Sequence, residues 1–592
     1  MTLDLSANTL PSEDATRNKA KVQQTDEVRK LVQSMSSRIN SLDKVRLSWW
    51  KHWGQLARLI MPRRYEYLVT PDRQDRGGEI NQAIINSTAT KAARDCASGI
   101  MSGFTSPSDP WFRITVQDAE LEEDQDVQEW CEEVTKRILR VMSGSGYYNA
   151  KGVQYLDLVV FGTAPLIIYE DAENVIRCFN PVCGEYYCAV GPNNTVETLA
   201  RRFTMTISQM VNEFGVDNLS TTAKALWETA QNSTSLSTLD QELIIEHIIE
   251  PNPDYDSKPV QVGRFGLPRH FKYREVYWES GSPEMALRLS GFSDKPFSCP
   301  RWDVQGNQAY GRSPAMDALG DIKQLQQEEK SKAKGLDKMV DPPMVADASM
   351  KNEPASLLPG AVTYVPRMDG SAGFKAAIDV RIPIGELKDD IRNIETRIQA
   401  TFFVDLFMAI LGLTGDRRTA TEIAERKAEK LIMLGPVLDR IQQEGITPDI
   451  SRIYQIMARG GYLPRPPQIM RGLPLKVAYI SPLADLQRAA QATSIERWVG
   501  FTGSLGSSRP EAMDNVDVDE VVKQYGTILR VSPKLMTPKD KRDAMRAARS
   551  QQQQDATTIQ TGAEAVNAGK VLSETDVGGG QNALSMILNG GS

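Results

Sequence analysis

The stretch that decides the fold is Ser313-Pro-Ala-Met-Asp-Ala-Leu-Gly-Asp-Ile-Lys-Gln-Leu-Gln-Gln-Glu-Glu-Lys-Ser-Lys-Ala-Lys-Gly-Leu-Asp-Lys-Met-Val340, followed at once by Asp341-Pro-Pro343. Serine at the cap and proline at the first helical position open a helix, and the Asp-Pro-Pro run stops it. Roughly 26 residues at 1.5 Å each predict a rod of about 40 Å. Its second half, Gln326 to Lys338, is polar on nearly every face. A helix of that kind gains nothing from a core of its own and points to packing between neighbours.

Outward from this rod, about forty residues rich in Pro, Gly and β-prone runs (Ala361 to Pro366) precede a second helix from about Gly385 to Leu411. Its apolar positions, 387, 391, 394, 398, 402, 406 and 409, form one stripe. Gly412 to Arg418 is a short polar loop, and Thr419-Ala-Thr-Glu422 is a capping box that starts another helix. Upstream, apolar residues at 28, 31, 32, 35, 39, 42, 49, 53, 56 and 60 predict a helix up to Pro62. Trp49, Trp50 and Trp53 crowd one part of it and read as core rather than as a base-stacking platform. Between 110 and 310, β-rich stretches (Leu158 to Tyr169, Glu185 to Val190, Leu243 to Ile249, Phe271 to Trp278) alternate with helices at Val127 to Met142 and Ser208 to Phe214. This predicts an α+β domain with a mostly antiparallel sheet. Downstream, Ser481-Pro482 caps a helix, Pro533 to Arg549 is basic and helical, and Gln551 to Gln554 opens a low-complexity end.

The composition is ordinary for a globular chain: 592 residues, 41% apolar, 24% charged, net charge −7. An acidic balance argues against a basic nucleic-acid binder of the repressor kind. Six cysteines in so long a chain point to a reducing compartment. Met1 to Asn8 lacks a signal-peptide pattern, and the most apolar window, Phe402 to Leu413, is too short to span a bilayer.

Catalytic motifs are missing. His52, His247 and His270 are scattered, and Cys178, Cys183 and Cys188 stand five apart, which is not a zinc knuckle. There is no phosphate-binding Gly-Lys loop; Ala568-Gly-Lys-Val571 lacks the Ser or Thr that holds magnesium. No nucleophile elbow or kinase set is present. The expectation is a non-enzyme without cofactor or metal.

The motifs that remain recur in order in one family. They are Arg46-Leu-Ser-Trp-Trp with Ile60-Met-Pro62, Ser108-Asp-Pro-Trp-Phe112, Asp157-Leu-Val-Val-Phe-Gly-Thr163, and Arg202-Phe-Thr-Met-Thr-Ile-Ser-Gln-Met210 with Phe214-Gly215. Pro300-Arg-Trp302, Tyr310-Gly-Arg-Ser-Pro314, Asp341-Pro-Pro343, Thr419-Ala-Thr-Glu-Ile423, Gly435-Pro-Val437 and Ser481-Pro-Leu-Ala484 follow. Together they resemble the portal, or head-to-tail connector, proteins of short-tailed double-stranded DNA bacteriophages, from about residue 40 to 490.

The resemblance implies a mixed α+β portal fold in a ring, normally of twelve copies, at one capsid vertex of the virion, assembled in the host cytoplasm. It divides the chain into a flexible arm (1–24), a wing (25–312), stem helix 1 (313–340), a small α/β clip (341–383), stem helix 2 (384–411) and a tunnel loop (412–418). A long helix with the wing or crown base (419–480), a helical crown (481–550) and a flexible tail (551–592) complete it. The implied partners are further copies of the chain, double-stranded DNA in the channel, major capsid and scaffolding proteins, terminase, and tail adaptor or tail tube proteins, without a membrane. A tail adaptor or scaffold is the alternative reading. Lys323, Lys330, Lys334 and Lys338, spaced 7, 4 and 4, share one helix stripe that faces the bore, or else a solvated outer face or a neighbour's Glu328, Glu329 and Asp337. Arg417 and Arg418 end the tunnel loop, where they contact phosphates, or cap the neighbouring helix or pair with Asp416.

Overall fold

The computed structural model describes residues 21–69, 83–122, 124–232, 236–256, 271–340, 344–346, 374–376, 383–410, 435–470, 475–480, 494–505, 509, 516–528 and 539–574. Contacts divide the chain into one compact unit of 1–119 with 130–483 and another of 120–129 with 484–592.

The first unit begins with helix α1 (Asp26–Ile60), capped by the Thr25 side chain, which accepts from the Val28 amide. Its row Val28, Leu31, Val32, Met35 and Ile39 is buried against a five-stranded antiparallel sheet. Helix α2 (Pro62–Val69) follows directly, because proline is tolerated in a first helical turn. Then come α3 (Thr88–Phe104), β1 (Phe112–Val116), α5 (Gln125–Gly144) from Trp130 onward, and α6 (Tyr147–Phe161); the short α4 (Ala119–Glu122) from Glu120 onward and the first residues of α5 belong to the other unit. Strands β2 (Leu166–Asp171) and β3 (Val175–Phe179) pair with each other, and β2 also pairs with β9 (Phe297–Ser298). The large sheet runs in the order β4 (Tyr186–Val190), β5 (Val196–Thr206), β6 (Glu242–Pro251), β7 (Tyr273–Glu279), β8 (Ala286–Phe292). Every pairing in it is antiparallel, as the alternating sequence predicts. Period-two alternation gives the sheet two apolar faces. Ile248, Val276 and Trp278 meet α1, while Ile245, Tyr277 and Leu287 meet helix α7 (Ile207–Phe214) with its capping box at Thr206 and Gln209. Helix α8 (Thr221–Asn232) contributes Ala223 to the second face.

Ser313 caps the predicted rod as expected, accepting from the Met316 amide. The rod is stepped, not continuous: α9 (Pro314–Asp317) ends at Ala318 and α10 (Leu319–Val340) carries on. The return helix is also two helices, α11 (Ile384–Thr401) and α12 (Val404–Ile410), because Phe403 sits at φ 57° and breaks the ladder. Between α10 and α11, strands β10 (Met344–Ala346) and β11 (Phe374–Ala376) pair antiparallel. The unit closes with a π-helical turn (Ile441–Ile446), the helix Thr447–Arg459, and β12 (Leu475–Tyr479), which pairs with β1.

Three more expectations are corrected. Leu158 to Phe161 is the last turn of α6, not strand; the strand begins at Leu166. Residues 21–24 are docked rather than loose: the Val22 amide donates to Asn218, and the Gln24 side chain bonds both the amide and the carbonyl of Ala286. In the second unit, the glutamine run lies inside a helix, Lys539–Glu574, not in a flexible tail. That unit also holds a helix at 494–505 and the helix Val518–Ile528, whose Asp519 receives a forked pair of bonds from Arg546.

Candidate functional site: the antiparallel helix pair

The root of the pair is set by backbone, not by side chains. Gly162 ends α6 at φ 77°, and a Cβ there would lie 2.2 Å from the Gly311 carbonyl oxygen. A Cβ on Gly311 would in turn lie 2.5 Å from the Gly162 oxygen. With both positions bare, the Trp302 amide donates to the Gly162 carbonyl at 2.9 Å, and the Gly311 amide to Thr163 Oγ1 at 2.8 Å. Ser313 Oγ donates to the Val160 carbonyl at 2.7 Å. Three of the recurring sequence motifs therefore meet at one joint: Phe161-Gly-Thr163, Pro300-Arg-Trp302 and Tyr310-Gly-Arg-Ser313.

Buried charges brace this joint. Lys151 Nζ donates to Asp449 Oδ2 at 2.7 Å with both side chains wholly buried, and Tyr147 donates to the same oxygen at 3.0 Å. Burial, then the Asp449 charge, pushes the Tyr147 hydroxyl well above its ordinary range. Arg301 forks onto Glu444 in the π-helical turn, at 3.1 and 2.6 Å. The Cys299 amide bonds the Glu444 carbonyl, and Gly445 lets Pro300 approach. Lys151 and Asp449 stand singly in helices, Arg301 in the bridge segment after β9, and Glu444 in the π-helical turn. No spacing in the sequence announces them, so sequence reading misses them; the Gly162 end signal was the readable clue.

Above the joint, α10 and α11 lie antiparallel. Gln326 Oε1 accepts from the Ile85 and Asn86 amides at 2.7 and 2.9 Å, and its Nε2 returns a bond to the Asn86 carbonyl. Asn86 Nδ2 bridges Glu395 (2.8 Å) and Glu329 (3.2 Å), so the two helices share one polar clasp. Arg397 pairs with Asp321 at 3.1 Å on the flank. The predicted stripe Ile391, Ile394, Ile398, Phe402 and Leu406 is buried.

All four candidate lysines are exposed. Lys323 bonds Gln55 on α1 at 2.8 Å. Nearby, burial first, then Arg312 and Lys323, hold His52 below its ordinary pKa. Lys330, Lys334 and Lys338 have no hydrogen bond or ion pair among the described residues. Glu329 is engaged within its own helix, by Lys332 at 2.6 Å. Arg417 and Arg418, the capping box at Thr419, the Ser481-Pro482 cap and most of 341–383 lie outside the described residues.

Elsewhere, Trp53 is fully buried and stacks edge-on to Tyr310 at 5.0 Å, so it belongs to the core, while Trp49 and Trp50 are half-buried. Cys183 and Cys188 are buried and Cys178 half-buried, all free thiols. Among the described residues no cluster of His, Cys, Asp or Glu is placed to hold a metal, and no helix is long and apolar enough to cross a membrane. The arrangement is mechanical: a braced joint carrying a charged, projecting hairpin.

Residues 32–536 match the model of the bacteriophage head to tail connecting protein family. The chain belongs to this family. A portal protein of Salmonella phage epsilon15 is 38% identical over 551 residues, covering 93% of this chain and 96% of that one. A probable portal protein of Bordetella phage BPP-1 is 37% identical over 521 residues, covering 88% and 91%. Among solved structures, the neck of an empty GTA particle computed with C6 symmetry aligns over 69% of this connector chain and 84% of that chain, at TM-score 0.30 and 10% identity, too remote to carry an argument.

Proposed function

We infer that this connector is the portal subunit of its phage: a ring of copies, twelve in the closest reading of the resemblance, at one vertex of the capsid. Through its channel double-stranded DNA is packaged and later ejected. The near-full-length similarity to two phage portal proteins carries this reading. The helix hairpin supports it, since a braced pair with a polar outer half suits a stem that is completed by neighbours. In this reading the ring nucleates procapsid assembly with capsid and scaffolding proteins. Its clip (341–383) docks the terminase during packaging and tail proteins afterwards, and the ATP-driven motor is a different chain.

Arg417 and Arg418 are the DNA-facing pair in this reading, two sparse positive rings in an acidic assembly. A densely basic bore would hold the duplex through counterion release, whereas a conduit must let it slide. The lysine row of α10 is turned either to the bore or to the adjoining subunit in this reading.

Purified protein imaged by negative stain should show closed rings with a central hole, and it should hydrolyse no ATP above background. Monomers by light scattering at every salt concentration would overturn the reading. So would normal packaging in an extract by a subunit whose clip is replaced by a short linker.

A further inference from the structure

The helix pair carries its unpaired charges on opposite flanks. Two contacts fix which residues stand level: Arg397 reaches Asp321, and Asn86 joins Glu395 to Glu329. In antiparallel helices of equal rise, residues at one height therefore have numbers that add to about 720. Lys330 is level with Asp390, and Lys334 with Glu386.

At about 100° per residue, Asp321 and Arg397 mark one flank of the pair. Glu386 and Asp390 fall on that same flank of α11, beside Arg397. Lys330 and Lys334 fall on the other flank of α10, together with Lys388 and Arg392 of α11. Lys330, Lys334, Glu386 and Asp390 are all exposed, and none has a hydrogen bond or ion pair among the described residues. Asp337 lies further out on the lysine flank, but at these two heights one flank carries Lys330 and Lys334 and the other Asp390 and Glu386.

A single hairpin cannot bring its two flanks together. Head-to-tail contact between copies does so, and head-to-tail contact with the right rotation closes a ring. Rotation about an axis along the stem preserves height. We propose that the seam between adjacent stems is this charge lock, Lys330 of one copy against Asp390 of the next and Lys334 against Glu386. The proposal rests on the ring reading and settles the direction of the lysine row: these two lysines face the neighbour, not the bore. Opposite charges across a seam also set its register and disfavour like-with-like contact.

The test uses two full-length variants. K330E/K334E makes both flanks acidic, and E386K/D390K makes both basic. Each alone should lose rings by native mass spectrometry at low salt, with at least a tenfold rise in the subunit concentration needed for assembly. Mixed in equal amounts, they should regain rings in which the two variants alternate. Circular dichroism of each variant matching wild type excludes misfolding, and the four-residue charge swap in one chain should restore rings where a misfolded variant would not. Rings from either variant alone, as readily as wild type, overturn the lock and turn the row back to the bore. Lost rings that neither mixing nor the swap restores overturn it as well. Wild type failing to form rings would instead overturn the ring reading beneath it.

Discussion

In the first half of α10, Leu319, Ile322, Leu325 and Gln326 are buried, whereas from Gln327 to Val340 only Gly335 is. The same helix passes from a root packed into its own subunit to an outer half that, among the described residues, is mostly exposed. The charges follow the division. At the root, Lys151, Asp449, Arg301 and Glu444 are buried and paired within the subunit; on the outer half, Lys330 and Lys334 are exposed and have no partner among the described residues. In the proposed ring, root charges serve the stability of the subunit and outer charges its assembly.

Asp449→Ala is expected to break that division most severely, because it strands the buried Lys151 ammonium. Urea denaturation of the isolated subunit should show a loss of about 3 to 5 kcal/mol. Replacing both partners, Lys151→Met with Asp449→Leu, should recover most of it, since the penalty lies in the orphaned charge rather than in the missing bond.

A smaller effect is expected at Asp157, in the last turns of α6. Burial, opposed by Arg64 at 3.3 Å, pushes its carboxyl up to about 6 from an ordinary 3.8. The folded state therefore binds a proton that the unfolded chain releases between those values. Its contribution to stability is full below about pH 4 and is lost as pH rises through 6. Denaturation of wild type against Asp157→Asn should show the wild type losing about 2 to 3 kcal/mol relative to the variant between about pH 4 and pH 7. A constant difference would mean that Arg64 already holds the carboxylate charged.

Least of all should Lys334→Ala move the subunit's own melting, by less than about 0.5 kcal/mol, as for other solvated surface sites. If calorimetry of the monomer shows a larger loss, the outer half is braced by its own chain and the contrast with the root dissolves.

Much of the root was legible because periodic patterns write it plainly. The α1 row from Val28 to Ile39, three of the five strands of the large sheet (β4, β6 and β7), and the Ser313-Pro314 start appear where the sequence places them, whereas β5 and β8 are not foreseen. Leu158-Val-Val-Phe161 misleads because four consecutive apolar residues carry no period, and β-branched pairs favour strand. In the fold that turn is buried on every side, which a helix satisfies equally well. The break at Phe403 is hidden for a related reason: Ile398, Phe402 and Leu406 keep helical spacing across it. On the candidate site, the lysine row was visible as a stripe, but its direction was not. Direction needs the heights of α10 and α11, and those are fixed by Asn86, more than two hundred residues upstream of Gln326.

The glycine joint has a mechanical consequence. Gly162 and Gly311 touch through their backbones, and neither position has room for a side chain. Side chains yield by changing rotamer; peptide planes do not. The joint is therefore stiff in the sense of an engineered bearing, with no compliant layer between the two parts. Helix α10 extends 22 residues beyond it, a lever of about 33 Å. A tilt of about 5° at the glycines displaces the Val340 end by about 3 Å, close to the height of one base pair along DNA. In the proposed portal, small rotations of the body would thus reach the Val340 end amplified to the scale of the DNA repeat.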